Sequence, residues 1–220
     1  MRFHCLTLFP EMLEGGLLHG VIKRAAERGL IELNCVNIRD FSADKHKRTD
    51  DYPYGGGAGM VMTPQPVYDA YRSLVLPPGT PVIYTSPQGE KLSAKKAREW
   101  AALPEIAVIC GRYEGVDERV IEETATELVS LGDFIMTGGE ICAMAVIDAV
   151  SRFIPGVLGN SESPIDESFE GGLLEYPQYT RPAVFLGKAV PEVLLSGHHE
   201  NIRLWRLARS AERTEKRRRG

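Results

Sequence analysis

No apolar run in this 220-residue sequence exceeds seven residues. The longest, Ile141 to Ile147, is far short of the roughly 20 that a membrane-spanning helix needs. The N-terminal MRFHCLTLFPE lacks the charged-then-apolar layout of a secretory signal, which predicts a cytoplasmic location and no membrane partner. Cysteine is scarce: Cys5, Cys35, Cys110 and Cys142 stand far apart in apolar settings and form no CxxC pair. They are expected as reduced core thiols, not as disulfides or zinc ligands. His4, His19, His46, His198 and His199 show no metal spacing, so the expected metal set is none. Also absent are a GxGxxG after the first strand, a GxxxxGK[ST] phosphate loop, an HExxH pair and a GxSxG elbow. Those absences remove the ordinary dinucleotide, nucleoside-triphosphate, zinc-protease and serine-hydrolase readings.

What is present is an ordinary globular composition, 43% hydrophobic and 25% charged, which excludes a disordered chain, a coiled coil and a collagen-like repeat. The length suits one large domain, or one domain with a small appendage. Charge is uneven. His198–Gly220 holds eight Lys/Arg and three Asp/Glu, net +5, so the overall −4 leaves −9 on Met1–Gly197. A basic end on an acidic body keeps nucleic acid open as a partner. The plainer reading is a solvated basic helix end favoured by the helix dipole.

The first 155 residues alternate strand-like and helix-like stretches. Strands are expected over Phe3–Phe9, Val82–Thr85, Ile106–Cys110 and Leu128–Met136. Helices are expected over Glu11–Arg28, Pro66–Leu74, Ser93–Ala102, Asp117–Thr126 and Glu140–Phe153, with Ser93 and Asp117 as N-caps. This alternation predicts an α/β fold with a mostly parallel sheet, whose ligands sit beyond the carboxyl ends of the strands. Gly156–Tyr179 is rich in Gly, Ser, Pro and acid and reads as a flexible linker. One more helix is expected from about Glu200. There Arg203, Arg206, Arg209 and Arg213 share one arc, with Leu204, Trp205, Leu207, Ala208 and Ala211 opposite as a packing face. Only Ile202 breaks the division. The expected domains are 1–159, a linker at 160–176, and 177–220.

Three glycine-containing loops follow strand-like runs: TSPQG (Thr85–Gly89), CGRYEG (Cys110–Gly115) and LGDFIMTGGE (Leu131–Glu140). Each alone is an unremarkable turn. On one edge of one sheet they would bring backbone N–H and C=O groups close to a ligand, with Tyr84 and Tyr113 as stacking faces. Such a site suits a flat heteroaromatic such as adenine. YGGGAGMVM (Tyr54–Met62) reads equally as a mobile hairpin or as a lid beside a bulky base.

LTLFPEM (Leu6–Met12), DDYPYGGGAGMVM (Asp50–Met62), TSPQG, CGRYEGVDERV (Cys110–Val120), GDFIMTGGE (Gly132–Glu140), DAVSRFIPGVLG (Asp148–Gly159) and LLSGHHENIRLWR (Leu194–Arg206) follow one another over nearly the whole chain. Together these stretches resemble the bacterial tRNA (guanine-N1)-methyltransferase family. The resemblance implies transfer of a methyl group from S-adenosyl-L-methionine to N1 of the guanine 3′-adjacent to the anticodon of tRNA. It further implies a homodimer of SPOUT-type fold, an α/β domain with a deep trefoil knot, plus a small C-terminal helical domain. General topology rules would not predict a knot. Carried over onto this chain, the family's cofactor pocket falls on Tyr84, Ser86, Pro87, Gly89, Gly111, Tyr113, Glu114, Leu131, Gly132, Asp133, Phe134, Ile135, Met136, Gly138 and Gly139.

Catalysis would rest on Arg152, matching a family arginine, and on a linker acid. The family carries Asp directly before Ser-Phe, where this chain has Glu167, with Asp166 one residue earlier. Glu167 holds the slot by register, and Asp166 takes the role if the linker shifts by one. Arg152 reads alternatively as a salt bridge across the dimer. tRNA binding would fall to Arg203, Arg206, Arg209 and Arg213. No ligand set supports magnesium, although an ion beside the linker carboxylates is left open. Family members commonly continue past the point where this chain stops at Gly220, which implies a shortened or trimmed end. The competing readings are a SPOUT enzyme acting on ribose 2′-OH and a non-catalytic RNA-binding module.

Overall fold

The computed structural model describes residues 1–158 and 173–219. The linker acids Asp166 and Glu167 therefore lie outside the described residues. The chain divides into two compact units, Met1–Gly159 and Asn160–Gly220.

The first unit is built on a five-stranded sheet of β1 (Arg2–Thr7), β2 (Glu32–Asn37), β5 (Val82–Lys91), β6 (Glu105–Ile109) and β7 (Glu127–Ser130). The spatial order is β2-β1-β6-β5-β7, and every neighbouring pair is parallel. Both faces are covered at the inner strands, which is why β1 and β6 read as apolar runs. β6 shows the division: Ile106 and Val108 join one core, Ala107 and Ile109 the other. The first core lies under α1 (Pro10–Leu17), α2 (Gly20–Glu27), α4 (Ala94–Ala101) and α6 (Glu140–Ser151). The second lies under α3 (Pro64–Ser73) and α5 (Glu118–Thr124). A short antiparallel pair, β3 (Asp50–Asp51) with β4 (Val61–Met62), brackets the glycine-rich segment.

Local signals explain the element starts. Ser93 Oγ accepts from Lys96 N at 3.2 Å, and Asp117 Oδ1 accepts from Arg119 N at 3.1 Å. These side chains satisfy amides that the first helical turn leaves unpaired. The single helix expected over Glu11–Arg28 is instead two, because His19 is extended (φ −130°, ψ 160°) between them. β2 was not expected: its ELNCVN sequence carries Glu and Asn because it is an edge strand only partly covered. The strand expected over Leu128–Met136 stops at Ser130, and the chain leaves the sheet from Leu131. Cys5 and Cys35, far apart in sequence, are register partners on β1 and β2, and all four cysteines are free thiols.

The second unit holds a hairpin, β8 (Val184–Phe185) with β9 (Lys188–Ala189), then α7 (Glu192–Leu195) and α8 (His199–Arg219). Residues 173–176, expected within the linker, belong here: Leu174 N donates to Thr214 Oγ1 at 2.8 Å, and Arg213 Nη1 to the Glu175 carbonyl at 3.1 Å. The helical wheel located only part of the packing face of α8: of its five positions Trp205 alone is covered. Ile202, Trp205, Ser210 and Thr214 are its covered positions, while Leu204 and Leu207 are about half exposed at 49% and 51%. Segment 174–179 meets α8 with a backbone amide, a carbonyl and two aromatic rings, so the side it covers is not the most apolar one. No described helix is long and apolar enough to cross a membrane.

Candidate cofactor cleft

The three glycine loops converge at one edge of the sheet because β6, β5 and β7 are adjacent and parallel. TSPQG does not follow β5 but interrupts it. Thr85 and Glu90 both register with Val129, so residues 86–89 bulge out of the sheet while the strand continues to Lys91. Gly89 sits at the return point, where a Cβ would collide with the backbone of Leu128 and Val129. The second loop leaves β6 at Cys110, and the third joins β7 to α6. They are bound to each other: Gly139 N donates to the Gly111 carbonyl at 2.8 Å, and Arg112 bridges Gly138. A Cβ on Gly139 would run into Thr85 Oγ1 and approach Cys110 Cα at 2.9 Å. These contacts, not turn conformation, require glycine there.

Between the loops lies a cleft of about 470 Å³. Its lining includes Tyr84, Ser86, Pro87, Gly111, Tyr113, Glu114, Leu131, Gly132, Phe134, Ile135, Met136, Gly138 and Gly139. Of the pocket residues carried over from the resemblance, Gly89 and Asp133 are not in its wall. Gly89 shapes the loop from behind, and Asp133 points outward to Lys91 Nζ at 2.7 Å. Lining residues that sequence reasoning missed include Thr85, Gln88, Arg112, Glu118, Ser130 and Cys142. Arg112 and Glu118 stood inside the quoted CGRYEGVDERV motif and could have been found there.

Tyr84 projects from β5 beneath the second loop, where its hydroxyl accepts from Val116 N at 3.3 Å. Burial raises its pKa, so the phenol stays protonated. The glycine-rich segment meets the same loop: Glu114 N donates to the Met60 carbonyl and Met62 N to the Gly115 carbonyl, each at 2.9 Å. Its end is therefore pinned beside the cleft, while Gly55, Gly56 and Gly57 have open space around them.

Beneath the cleft is a buried ion pair. Glu140, the first residue of α6 and 0% exposed, accepts from Thr7 Oγ1 at 2.8 Å through Oε1. Its Oε2 lies 2.8 Å from Arg112 Nε, at ion-pair distance but without hydrogen-bond alignment. The Arg112 guanidinium also stands 4.6 Å over the Phe9 ring and donates to the Thr137 carbonyl at 3.3 Å. An acid at a helix N-terminus is favoured by the dipole, and here it anchors the loop that forms the cleft wall.

Arg152 stands elsewhere. It caps the C-terminal end of α6, whose N-terminal end is at the cleft, and it does not line the cleft. At 1.5 Å per residue the two ends of the helix are about 20 Å apart. On α8, Arg203 and Arg209 pair with Glu200 and Glu212 at 2.7 and 2.6 Å, and Arg206 stacks 4.7 Å over the Tyr176 ring. Arg213 bonds the Glu175 carbonyl. Among the described residues no group of three His, Cys, Asp or Glu side chains is placed to hold a metal, so nothing described supports magnesium.

Comparison with known proteins gives a consistent answer. Residues 1–220 match the family described as tRNA (Guanine-1)-methyltransferase TrmD. The tRNA (guanine-N(1)-)-methyltransferase of Caldanaerobacter subterraneus subsp. tengcongensis is 56% identical over 97% of this chain and 88% of its own. The enzyme of that name from Geobacillus kaustophilus is 51% identical over 97% and 88%, and that from Clostridioides difficile 50% over 99% and 96%.

Proposed function

Because this chain belongs to the tRNA (guanine-1)-methyltransferase family, we propose that it methylates N1 of the guanine at position 37, 3′-adjacent to the anticodon of tRNA, with S-adenosyl-L-methionine as donor. The observation that carries the reading is the meeting of three backbone turns in one cleft at the carboxyl edge of β6, β5 and β7.

The cleft fits the donor. Its volume of about 470 Å³ lies in the range of small-ligand pockets. Leu131, Phe134, Ile135 and Met136 supply an apolar wall for an adenine ring, and the loop backbones supply hydrogen-bonding groups for its edge. Glu114 and Glu118 supply negative charge for a ligand bearing a sulfonium and an ammonium. When bound, the donor supplies an electrophilic methyl group.

The remaining work is alignment, removal of the N1 proton and relief of charge growing on the base carbonyl oxygen. Glu167, or Asp166 if the register shifts, takes the proton. Arg152 holds the developing charge. An arginine about 20 Å away along α6 cannot reach the cleft of its own chain, so the active unit is a homodimer in which a second copy brings its Arg152 end. Ile141 is 48% exposed on α6, an apolar side chain suited to such an interface. The fold proposed for the first unit is the SPOUT type, with a deep trefoil knot. The course of the chain from β7 through the third loop into α6, packed against α1, α4 and β1, supports it. The segment 160–176 carries the acid. The C-terminal part, 177–220, binds tRNA through Arg203, Arg206, Arg209 and Arg213. The protein works in the cytoplasm.

Incubation with tRNA and S-adenosylmethionine, followed by nucleoside mass analysis, tests the reading. It requires 1-methylguanosine. 2′-O-methylguanosine would make it a ribose-modifying enzyme, and an absence of donor binding by calorimetry would leave only an RNA-binding module.

A further inference from the structure

The second unit contains a cavity of about 390 Å³ between the segment 176–181 and the first turns of α8. Among the described residues its lining is aromatic, aliphatic and cationic, with no carboxylate: Tyr176, Tyr179, Leu194, Ile202, Trp205 and Arg206 are the principal side chains. The Tyr179 and Trp205 rings have centroids 6.2 Å apart and planes 57° apart. They make an open corner, not a closed stack. Arg206 Cζ stands 4.7 Å over the Tyr176 ring, a cation–π contact between two lining residues. Gln178 and Arg181 supply hydrogen-bonding groups on the same wall, and Gln178 Nε2 donates to Glu175 Oε1 at 2.6 Å. Tyr179 is 48% exposed and Leu195 63% exposed, so the corner opens outward.

Aromatic corners beside arginines are how proteins hold bases that have left a helical stack. Two arginines and no acid among the described lining residues, with a net +5 over His198–Gly220, favour an electron-rich ring carried on a phosphate backbone. A hydrophobic peptide would gain little from that charge. We propose that this cavity receives an unstacked base of the anticodon loop other than the methylated guanine, stacked on the exposed face of Tyr179 beside Trp205. The proposal rests on the tRNA reading above and gives it a second base contact, separate from the cofactor cleft.

The test uses the full chain and a tRNA transcript. Tyr179→Ala should weaken tRNA binding about five- to a hundredfold, the usual cost of losing one base–aromatic stack. Tyr179→Phe should restore it. Because stacking releases no counterions, the slope of affinity against salt should not change with Tyr179→Ala. Arg206→Ala should lower that slope by about 0.7–0.9. Should Tyr179→Ala lose its helical circular dichroism, Tyr179→Leu removes the ring while keeping an apolar side chain. 2-Aminopurine placed in turn at each loop position should be quenched by the wild-type protein at one position besides the target, and not by the Tyr179 variant. Wild-type affinity in a folded Tyr179→Ala or Tyr179→Leu protein, or no quenched position, overturns the proposal. So does a loss of dimer in sedimentation at unchanged tRNA affinity, which would make the cavity a protein contact. Those outcomes with 1-methylguanosine still formed sink this inference alone; a product other than 1-methylguanosine sinks the function.

Discussion

Arg112 Nε stands 2.8 Å from Glu140 Oε2, joining the second cleft loop to the first residue of α6. Thr7 on β1 holds the other carboxylate oxygen, so one buried acid ties together three segments distant in sequence. Removing the charge from one partner of a buried pair leaves the other without compensation. Glu140→Gln should cost about 3–5 kcal/mol of stability. Thermal unfolding should show a lower midpoint, and calorimetry should show weaker S-adenosylmethionine binding, because Arg112 lines the cleft. A midpoint equal to wild type would mean that the pair does not hold the loop.

Gly139 is the tightest place in the cleft wall. A methyl group there meets Thr85 Oγ1 and stands 3.0 Å from Gly111 N. Gly139→Ala should force the second and third loops apart and weaken donor binding at least tenfold, measured by calorimetry. Gly16→Ala is the contrasting case, since its new methyl meets only the flexible end of Met144. Donor affinity should be unchanged there.

The chemical groups separate by kinetics. Glu167→Gln and Asp166→Asn, made singly, should identify the base. The variant that removes it loses about 10²–10⁴ in turnover. Arg152→Ala should lose roughly 10²–10³ in turnover with donor affinity nearly intact. If neither acid variant slows single-turnover methylation tenfold, the base lies elsewhere. If Arg152→Ala acts from a second copy, mixing it with an acid variant should regain activity in the heterodimer.

The buried thiols give a pH signature. Burial raises the Cys142 pKa from 9.0 to about 11, and it also pushes Cys110 well up. Below about pH 8 the thiols are protonated whether the chain is folded or not, so they contribute no pH dependence there. Between pH 9 and 11 the unfolded chain ionises first and holds fewer protons, so stability falls as pH rises. For Cys142 the loss approaches roughly 2–3 kcal/mol by pH 11. Urea unfolding across this range should show the decline, with a shallower one in Cys142→Ala.

Much of the frame is written in local signals. Ser93 and Asp117 announce helices because their short oxygens can reach an amide of the next turn, and they do. The runs at Phe3, Val82 and Ile106 announce a sheet covered on both faces. Where local signals failed, a neighbour decided the outcome. ELNCVN hides as a strand because an edge needs only one good side. The α8 wheel pointed rightly to Trp205 but also to Leu204 and Leu207, whereas the incoming segment at Leu174–Tyr179 brings hydrogen-bonding groups and rings that meet Thr214 and Arg206 beside Trp205.

The residue order alone therefore determined the parallel α/β frame, the three glycine turns and the family to which the chain belongs. Tertiary structure decided which glycines have no room for a methyl group, that TSPQG bulges from within β5, and that Arg152 stands at the far end of the helix from the cleft. It also paired Glu140 with Thr7 and Arg112. The physical reason is range. Capping, turn formation and alternation act over a few residues and leave a trace in the order of the chain. Close approach and burial depend on what another segment places alongside, and a local pattern carries no trace of that segment.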